Sequence, residues 1–195
     1  MTTIVYLHGF RSSPASAKAQ QLRAAVDALP AARRPQLHVP ALTHAPLAAV
    51  AAIAAWVDAH ARGEQLTFVG SLLGGFYATH LAERYGARAA MINPAVHPAR
   101  DLAPWIGIQT NLYTGEAFEV TPAHFAELEA LAVPRIARPE RYFLLVETGD
   151  EVLDYREAVA HYGGGWQYVH GGGDHSFTGF AAQIPAILRF AGVPA

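Results

Sequence analysis

The sequence predicts an α/β fold: a parallel sheet of about six strands in the order 2-1-3-4-5-6, with helices on both faces. Three observations lead there. Six short runs, most of them largely apolar and rich in β-branched and aromatic residues, read as buried strands. Segments with apolar residues at helical spacing lie between them, which calls for right-handed crossovers and so for parallel strands. The third run leads straight into Gly70-Ser71-Leu72-Leu73-Gly74-Gly75, whose small residues suit a sharp strand-to-helix turn.

The elements follow in order. A strand over residues 3–8 starts almost at the N-terminus, and His8-Gly9-Phe10-Arg11-Ser12-Ser13-Pro14 is the loop after it. Ser13 is the expected cap of the first helix, with Pro14 in its first turn. That helix carries Leu22, Val26 and Leu29 on one face and stops at Pro30. A short second strand spans 36–39, and a second helix from Pro46 to about residue 60 turns Val50, Ile53 and Val57 inward. The third strand ends at the glycine turn, and the helix after it has Leu73, Phe76, Tyr77 and Leu81 on one face. A fourth strand at 88–92 ends in Asn93-Pro94-Ala95. The irregular stretch 96–139 holds one clear helix, opened by Thr121 and Pro122, with Phe125, Leu128 and Leu131 inward. The fifth strand (141–147) exits through Thr148-Gly149-Asp150. After a short helix, the sixth (166–170) exits through Gly171-Gly172-Gly173-Asp174-His175. The last helix carries Phe177, Phe180, Ile184 and Leu188, with a kink expected at Pro185.

At 195 residues the chain is expected to be a single domain over 1–195, with 96–139 as a lid-like insertion. Hydrophobic residues make up 52% and charged residues 15%, which excludes a disordered chain. Fourteen basic residues face sixteen acidic ones, so the net charge of −2 offers no basic surface for nucleic acid or anionic lipid. The absence of cysteine excludes disulfides, thiolate metal sites and a cysteine nucleophile. No signal-peptide pattern and no membrane-spanning run is evident, so the expected location is cytoplasmic. The oligomeric state is open.

In order along an open α/β sheet, strands 1 and 3 flank the point where the winding reverses, and ligands bind at the carboxyl ends of strands at such a point. The loops there are His8-Gly9-Phe10 and the glycine turn. Gly70-x-Leu72-x-Gly74 has the spacing of the nucleophile elbow of α/β-hydrolases, Gly-x-Ser-x-Gly, with leucine where the nucleophile belongs. Ser71 could substitute only in a register shifted by one, which would need small residues at 69 and 73, where Val69 and Leu73 stand. The chain order nucleophile, acid, histidine is met by residue 72, Asp150 and His175. Each has a plainer alternative. Asp150 could be a turn aspartate and His175 one of ten solvated or structural histidines. Asp154 competes with Asp150 or caps the next helix. No His-x-x-x-His pair or other ligand spacing points to a metal, and no cofactor is implied.

Four motifs occur in order: His8-Gly9-Phe10-Arg11-Ser12-Ser13-Pro14, Asn93-Pro94-Ala95-Val96, Thr148-Gly149-Asp150-Glu151-Val152-Leu153-Asp154-Tyr155-Arg156, and Gly172-Gly173-Asp174-His175-Ser176-Phe177-Thr178-Gly179-Phe180. With Asn111-Leu112-Tyr113-Thr114-Gly115, they resemble the small bacterial YqiA-type esterases of the α/β-hydrolase superfamily, from residue 4 to about 190. The resemblance implies a compact α/β-hydrolase fold and a serine esterase acting on a small-molecule acyl ester or thioester. It implies Asp150 as acid, His175 as base, and Phe10 and Leu73 as backbone oxyanion donors. The family has Gly-Ser-Ser-Leu-Gly-Gly at the elbow, and among the core motifs this chain departs only there, at Leu72. Two functions therefore stay open: an esterase whose nucleophile has been exchanged at one position, and a non-catalytic binding protein on a hydrolase scaffold. Trp105, Tyr113, Phe118 and Phe125 either line an acyl pocket or form the core of the insertion.

Overall fold

The computed structural model describes residues 1–61 and 63–194. Its main sheet comprises β1 (Thr2–Leu7), β2 (Gln36–His38), β3 (Gln65–Ser71), β4 (Arg88–Ile92), β7 (Tyr142–Glu147) and β8 (Trp166–His170). Their order is β2-β1-β3-β4-β7-β8, every pair is parallel, and the winding reverses between β1 and β3 as the sequence predicts. The strands β5 (Gly107–Thr110) and β6 (Ala117–Val120) stand apart as an antiparallel hairpin.

Alternation along β1 divides the core in two, because successive strand side chains face opposite ways. Val5 and Leu7 pack with α2 (Pro46–His60), α3 (Leu73–Tyr85), α5 (Pro122–Leu131) and α6 (Tyr155–His161). Ile4 and Tyr6 pack with α1 (Ala17–Asp27) and α7 (Phe180–Phe190). A short helix, α4 (Pro98–Asp101), completes the set. With both faces covered, the central strands are largely continuous apolar runs, which is why they were readable from the sequence, whereas the edge strands β2 and β8 are more exposed and mixed in composition. Among the described residues no helix is long and apolar enough to cross a membrane.

Three local expectations need correction. First, α1 begins at Ala17, not at Pro14. Ser13 instead builds a turn ahead of it, its Oγ accepting from the N–H of Ala15 (3.0 Å) and its carbonyl from that of Ser16 (3.0 Å). Second, Phe177 precedes α7: at φ 51° it is in the left-handed region, and it is buried in the core. The helix itself runs through Pro185, which forgoes only the bond back to the first turn. Third, the stretch 96–139 contains the β5–β6 hairpin as well as α5. Its strands are short and half-exposed, so no apolar run marked them. The available signal was the turn: Asn111 Oδ1 accepts from the N–H groups of Tyr113 (2.9 Å) and Thr114 (3.1 Å), and Gly115 has φ 73°.

The β3–α3 turn explains its glycines by close approach. A Cβ on Gly70 would fall on the carbonyl of Gly74, and one on Gly74 on the carbonyl of Leu7. Backbone cannot give way as a side chain can. Gly74→Ala is therefore expected to destabilise the chain by about 3 kcal/mol or more, read from the midpoint of urea unfolding. A loss of a few tenths would mean that α3 is not pressed against β1 as described.

Candidate active site

The residues singled out by the sequence converge at the carboxyl end of the sheet. Leu72 sits between β3 and α3 with φ 57° and ψ −119°, a conformation that leucine adopts only under constraint. The constraint is visible. The Leu72 N–H donates to the carbonyl of Ile92 (3.1 Å), and its own carbonyl accepts from Gly75 (3.0 Å) and Ala95 (3.1 Å). Residue 72 is thus the tip of the turn. Ser71 is the last residue of β3, buried, and in strand register opposite Ile92. The side chain of Leu72 lies against Gly9: a Cβ built there would meet Leu72 Cδ1, Cβ and Cγ, the first at 2.9 Å.

Asp150 and His175 meet directly. His175 Nδ1 is 2.9 Å from Asp150 Oδ1 and 3.1 Å from Oδ2, the carboxylate side chain being 2% exposed and the imidazole 23%. Asp150 Oδ1 also accepts from the N–H groups of Val152 and Leu153, both at 2.9 Å. Burial pushes the Asp150 carboxyl up, but the His175 bond, the two backbone donors and the neighbouring imidazole together hold it below the usual carboxylate range. The Asp150 carboxylate is therefore ionised at neutral pH, and with Nδ1 engaged, Nε2 is the nitrogen left for the cleft. Asp154 takes the other role foreseen for it, capping α6 by accepting from the Arg156 N–H (2.9 Å).

Backbone holds the pair in place. The exits of β7 and β8 are tied together by Thr148 N–H to His170 carbonyl (2.9 Å) and Gly149 N–H to Gly172 carbonyl (2.8 Å). Asn93 then clamps both to β4. Its amide nitrogen donates to the carbonyls of Asp174 (3.1 Å) and His175 (3.3 Å), and its Oδ1 accepts from Glu147 N–H (3.0 Å). It is buried, at φ 41°. No role for Asn93 was read from the sequence, although a buried asparagine ending a central strand is the available signal, since asparagine tolerates left-handed backbone. His8 proves structural. Its Nδ1 bonds the Gly9 carbonyl (3.0 Å) and its Nε2 accepts from Leu42 N–H (3.1 Å), while burial pushes its pKa down.

Two clefts open on either side of Gly9 and Phe10. One, of about 410 Å³, is shared by Leu72, His175, Tyr6, Lys18 and Tyr113. The other, of about 390 Å³, is lined by His8, Leu42, Leu73, Tyr77 and Phe118. Among the described residues no backbone acceptor takes the N–H of Phe10 or Leu73. Tyr113, half exposed, belongs to the first cleft; Trp105 borders neither, packing edge-on to Phe10 (6.1 Å between rings) and under the Arg11 guanidinium (5.2 Å). Phe118 meets Phe10 from the hairpin (5.8 Å), whereas Phe125 packs on the core. The hairpin is seated on the loop after β1, through Leu112 N–H to Arg11 carbonyl (2.9 Å) and Asn111 Nδ2 to Ser12 carbonyl (2.8 Å). A larger hollow of about 590 Å³ lies at the amino end of the sheet, by Gln65, Arg88 and Arg141, away from all of these groups. Among the described residues no cluster of three His, Asp or Glu could hold a metal ion.

Solved structures share this architecture. Alpha/beta hydrolase domain-containing protein 10 from mouse is 16% identical, with a TM-score of 0.71 over 95% of this chain and 87% of that one. Est1E from Butyrivibrio proteoclasticus is 15% identical, with a TM-score of 0.70 over 98% of this chain and 88% of that one. The esterase domain of a Rhodothermus marinus protein is 17% identical, with a TM-score of 0.65 over 96% and 84%. At such identities the likeness shows the α/β-hydrolase fold. A family model also matches residues 3–192, nearly the whole chain, and it is the YqiA family that the motifs resemble. The chain therefore belongs to the family described as "Uncharacterised protein family (UPF0227)".

Proposed function

We propose that this is the site of a carboxylic-ester hydrolase, also suited to acyl thioesters, in which Leu72 occupies the nucleophile position and leaves the chain nearly inert toward simple esters. The observation that carries the proposal is the Asp150–His175 pair, hydrogen-bonded at 2.9 Å and sharing a cleft with the strained tip of the elbow. Nothing in the packing of a plain α/β domain calls for those three positions to converge.

The chemistry follows from the geometry. With serine at 72, His175 Nε2 would take the hydroxyl proton as the oxygen attacks the acyl carbon. The N–H groups of Phe10 and Leu73 would receive the developing oxyanion. His175 would then return the proton to the leaving oxygen or sulfur, and water would release the acid by the same steps. Asp150 fixes the imidazole and stabilises its charged form. The 107–120 hairpin would act as a lid. With leucine there is no attacking atom, and an apolar group lies against Gly9, beside one of the oxyanion donors. Leu72 itself favours a second reading, a binding protein on a hydrolase scaffold. The test is hydrolysis of a chromogenic acetyl ester by the Leu72→Ser chain beside the unaltered one: a large gain supports the ester-hydrolase site, and no gain in a folded variant favours the binding protein.

A further inference from the structure

The cleft holding Leu72 and His175 has one wall that this chemistry does not use. It is formed by Ser12 and the start of α1: Ser16, Ala17, Lys18 and Gln21. Lys18 is half-buried, and among the described residues no carboxylate comes within ion-pairing distance of its ammonium. Burial pushes the amine down from its ordinary value, and Asp174 and Glu147 offset this only from a distance. Glu147 is already occupied, its Oε2 accepting the Asp174 N–H at 2.8 Å.

Ser16 adds an independent observation. It is 8% exposed and stands at the N-cap of α1, yet its side chain caps nothing. Its Oγ lies buried beside the Tyr6 hydroxyl but closes no hydrogen bond of good geometry with it or with any other group. A buried hydroxyl that closes no hydrogen bond of good geometry, a cation whose acidic neighbours Asp174 and Glu147 act only from a distance, and the positive end of an 11-residue helix therefore face one cavity.

We infer that this wall is an anion subsite, in which Lys18, the Ser16 hydroxyl and the first turn of α1 receive a carboxylate or phosphate carried by the leaving group of the substrate. The assignment to the leaving group rests on the ester-hydrolase reading. The base that returns a proton to the departing oxygen or sulfur must have that group on its own side, and His175 shares this cleft. Leu73 lines the other cleft, where Leu42, Tyr77 and Phe118 offer apolar contact beside the polar Arg11, His44 and Glu116, and this cleft is left for the acyl group. The substrate class is then an ester or thioester of an anionic alcohol or thiol.

The test has two arms. In the first, the unaltered chain is titrated with glycolate, glycerol 3-phosphate and neutral glycerol while the His175 imidazole signals are followed by NMR. Either anion should shift them, glycerol should not, and Lys18→Met should abolish the shift while Lys18→Arg retains it. Glycolate alone responding assigns the subsite to a carboxylate, and glycerol 3-phosphate alone to a phosphate. In the second, the Leu72→Ser chain hydrolyses acetoxyacetate and methyl acetate. Lys18→Met should lower kcat/KM for the anionic ester roughly tenfold or more and leave the neutral ester unchanged. Equal response to all three probes, or anion binding that survives Lys18→Met, overturns the inference and makes Lys18 a distant counter-ion of Asp174 and Glu147. Should Leu72→Ser hydrolyse neither ester, the proposed function fails, while the binding arm still decides the subsite.

Discussion

Leu72→Ser is expected to raise the turnover of a simple ester by on the order of 10⁴-fold or more, the scale on which a serine hydrolase depends on its nucleophile. The reason is that everything around the missing atom is already positioned. The tip backbone is held by three hydrogen bonds that do not involve the side chain, so serine inherits the same φ of 57°. The smaller side chain also withdraws from Gly9 and clears the approach to Phe10. Leu72→Ala separates the two effects, because it opens the same space without supplying an oxygen, and it should remain at the level of the unaltered chain. Ser71→Ala is a second control. Ser71 ends β3 in strand register, so its loss should leave the activity of Leu72→Ser within a few-fold. Robust hydrolysis by the unaltered chain that vanishes with Ser71→Ala would instead make Ser71 the nucleophile.

The second large effect concerns the acid and base. In the Leu72→Ser background, His175→Ala is expected to reduce kcat by roughly 10⁴-fold, and Asp150→Asn by a comparable factor, because an amide at 150 would favour the wrong imidazole tautomer. Neither change should alter the fold, since the loops are tied by backbone bonds and by Asn93. The pH profile carries a sign. Asp150 is held below the usual carboxylate range, so it keeps its charge down to a lower pH than an ordinary carboxylate does. Activity lost on acidification above that pH is therefore not lost through protonation of Asp150. Stopped-time assays from pH 4 to 9 would show this. A profile that Asp150→Asn leaves intact, with kcat unchanged, would remove Asp150 from the mechanism.

The sheet and its winding were legible because the central strands are buried on both faces and so are largely apolar along their length, as β1 and β4 are, while the edge strands β2 and β8 are more exposed and carry polar residues. The elbow was legible for a different reason: only glycine fits at 70 and 74, where backbone meets backbone. Asp150 and His175 could be paired from chain order and loop position. Other features left no such trace. The β5–β6 hairpin is short and half-exposed, so no apolar run marks its strands. Asn93 acts through backbone carbonyls that no sequence pattern records. The cleft wall at Ser16 and Lys18 arises from the packing of α1 against the sheet, and single polar residues on a helix do not announce which way they face. Ser13 is not the cap because it satisfies its hydroxyl in a turn of its own, four residues before the helix begins.

The central claim is that residue 72 is the nucleophile position of an otherwise assembled site. It is tested most directly by incubating the unaltered and Leu72→Ser chains with a fluorophosphonate and locating the adduct by peptide mass spectrometry. Such reagents lose fluoride to an activated serine and remain bound through a phosphorus–oxygen bond, so they report the nucleophile without depending on the natural substrate. The account predicts one adduct, on residue 72 of Leu72→Ser, absent from the unaltered chain and suppressed by His175→Ala. An adduct on Ser71 in the unaltered chain, or a folded Leu72→Ser chain that takes no label, would contradict it.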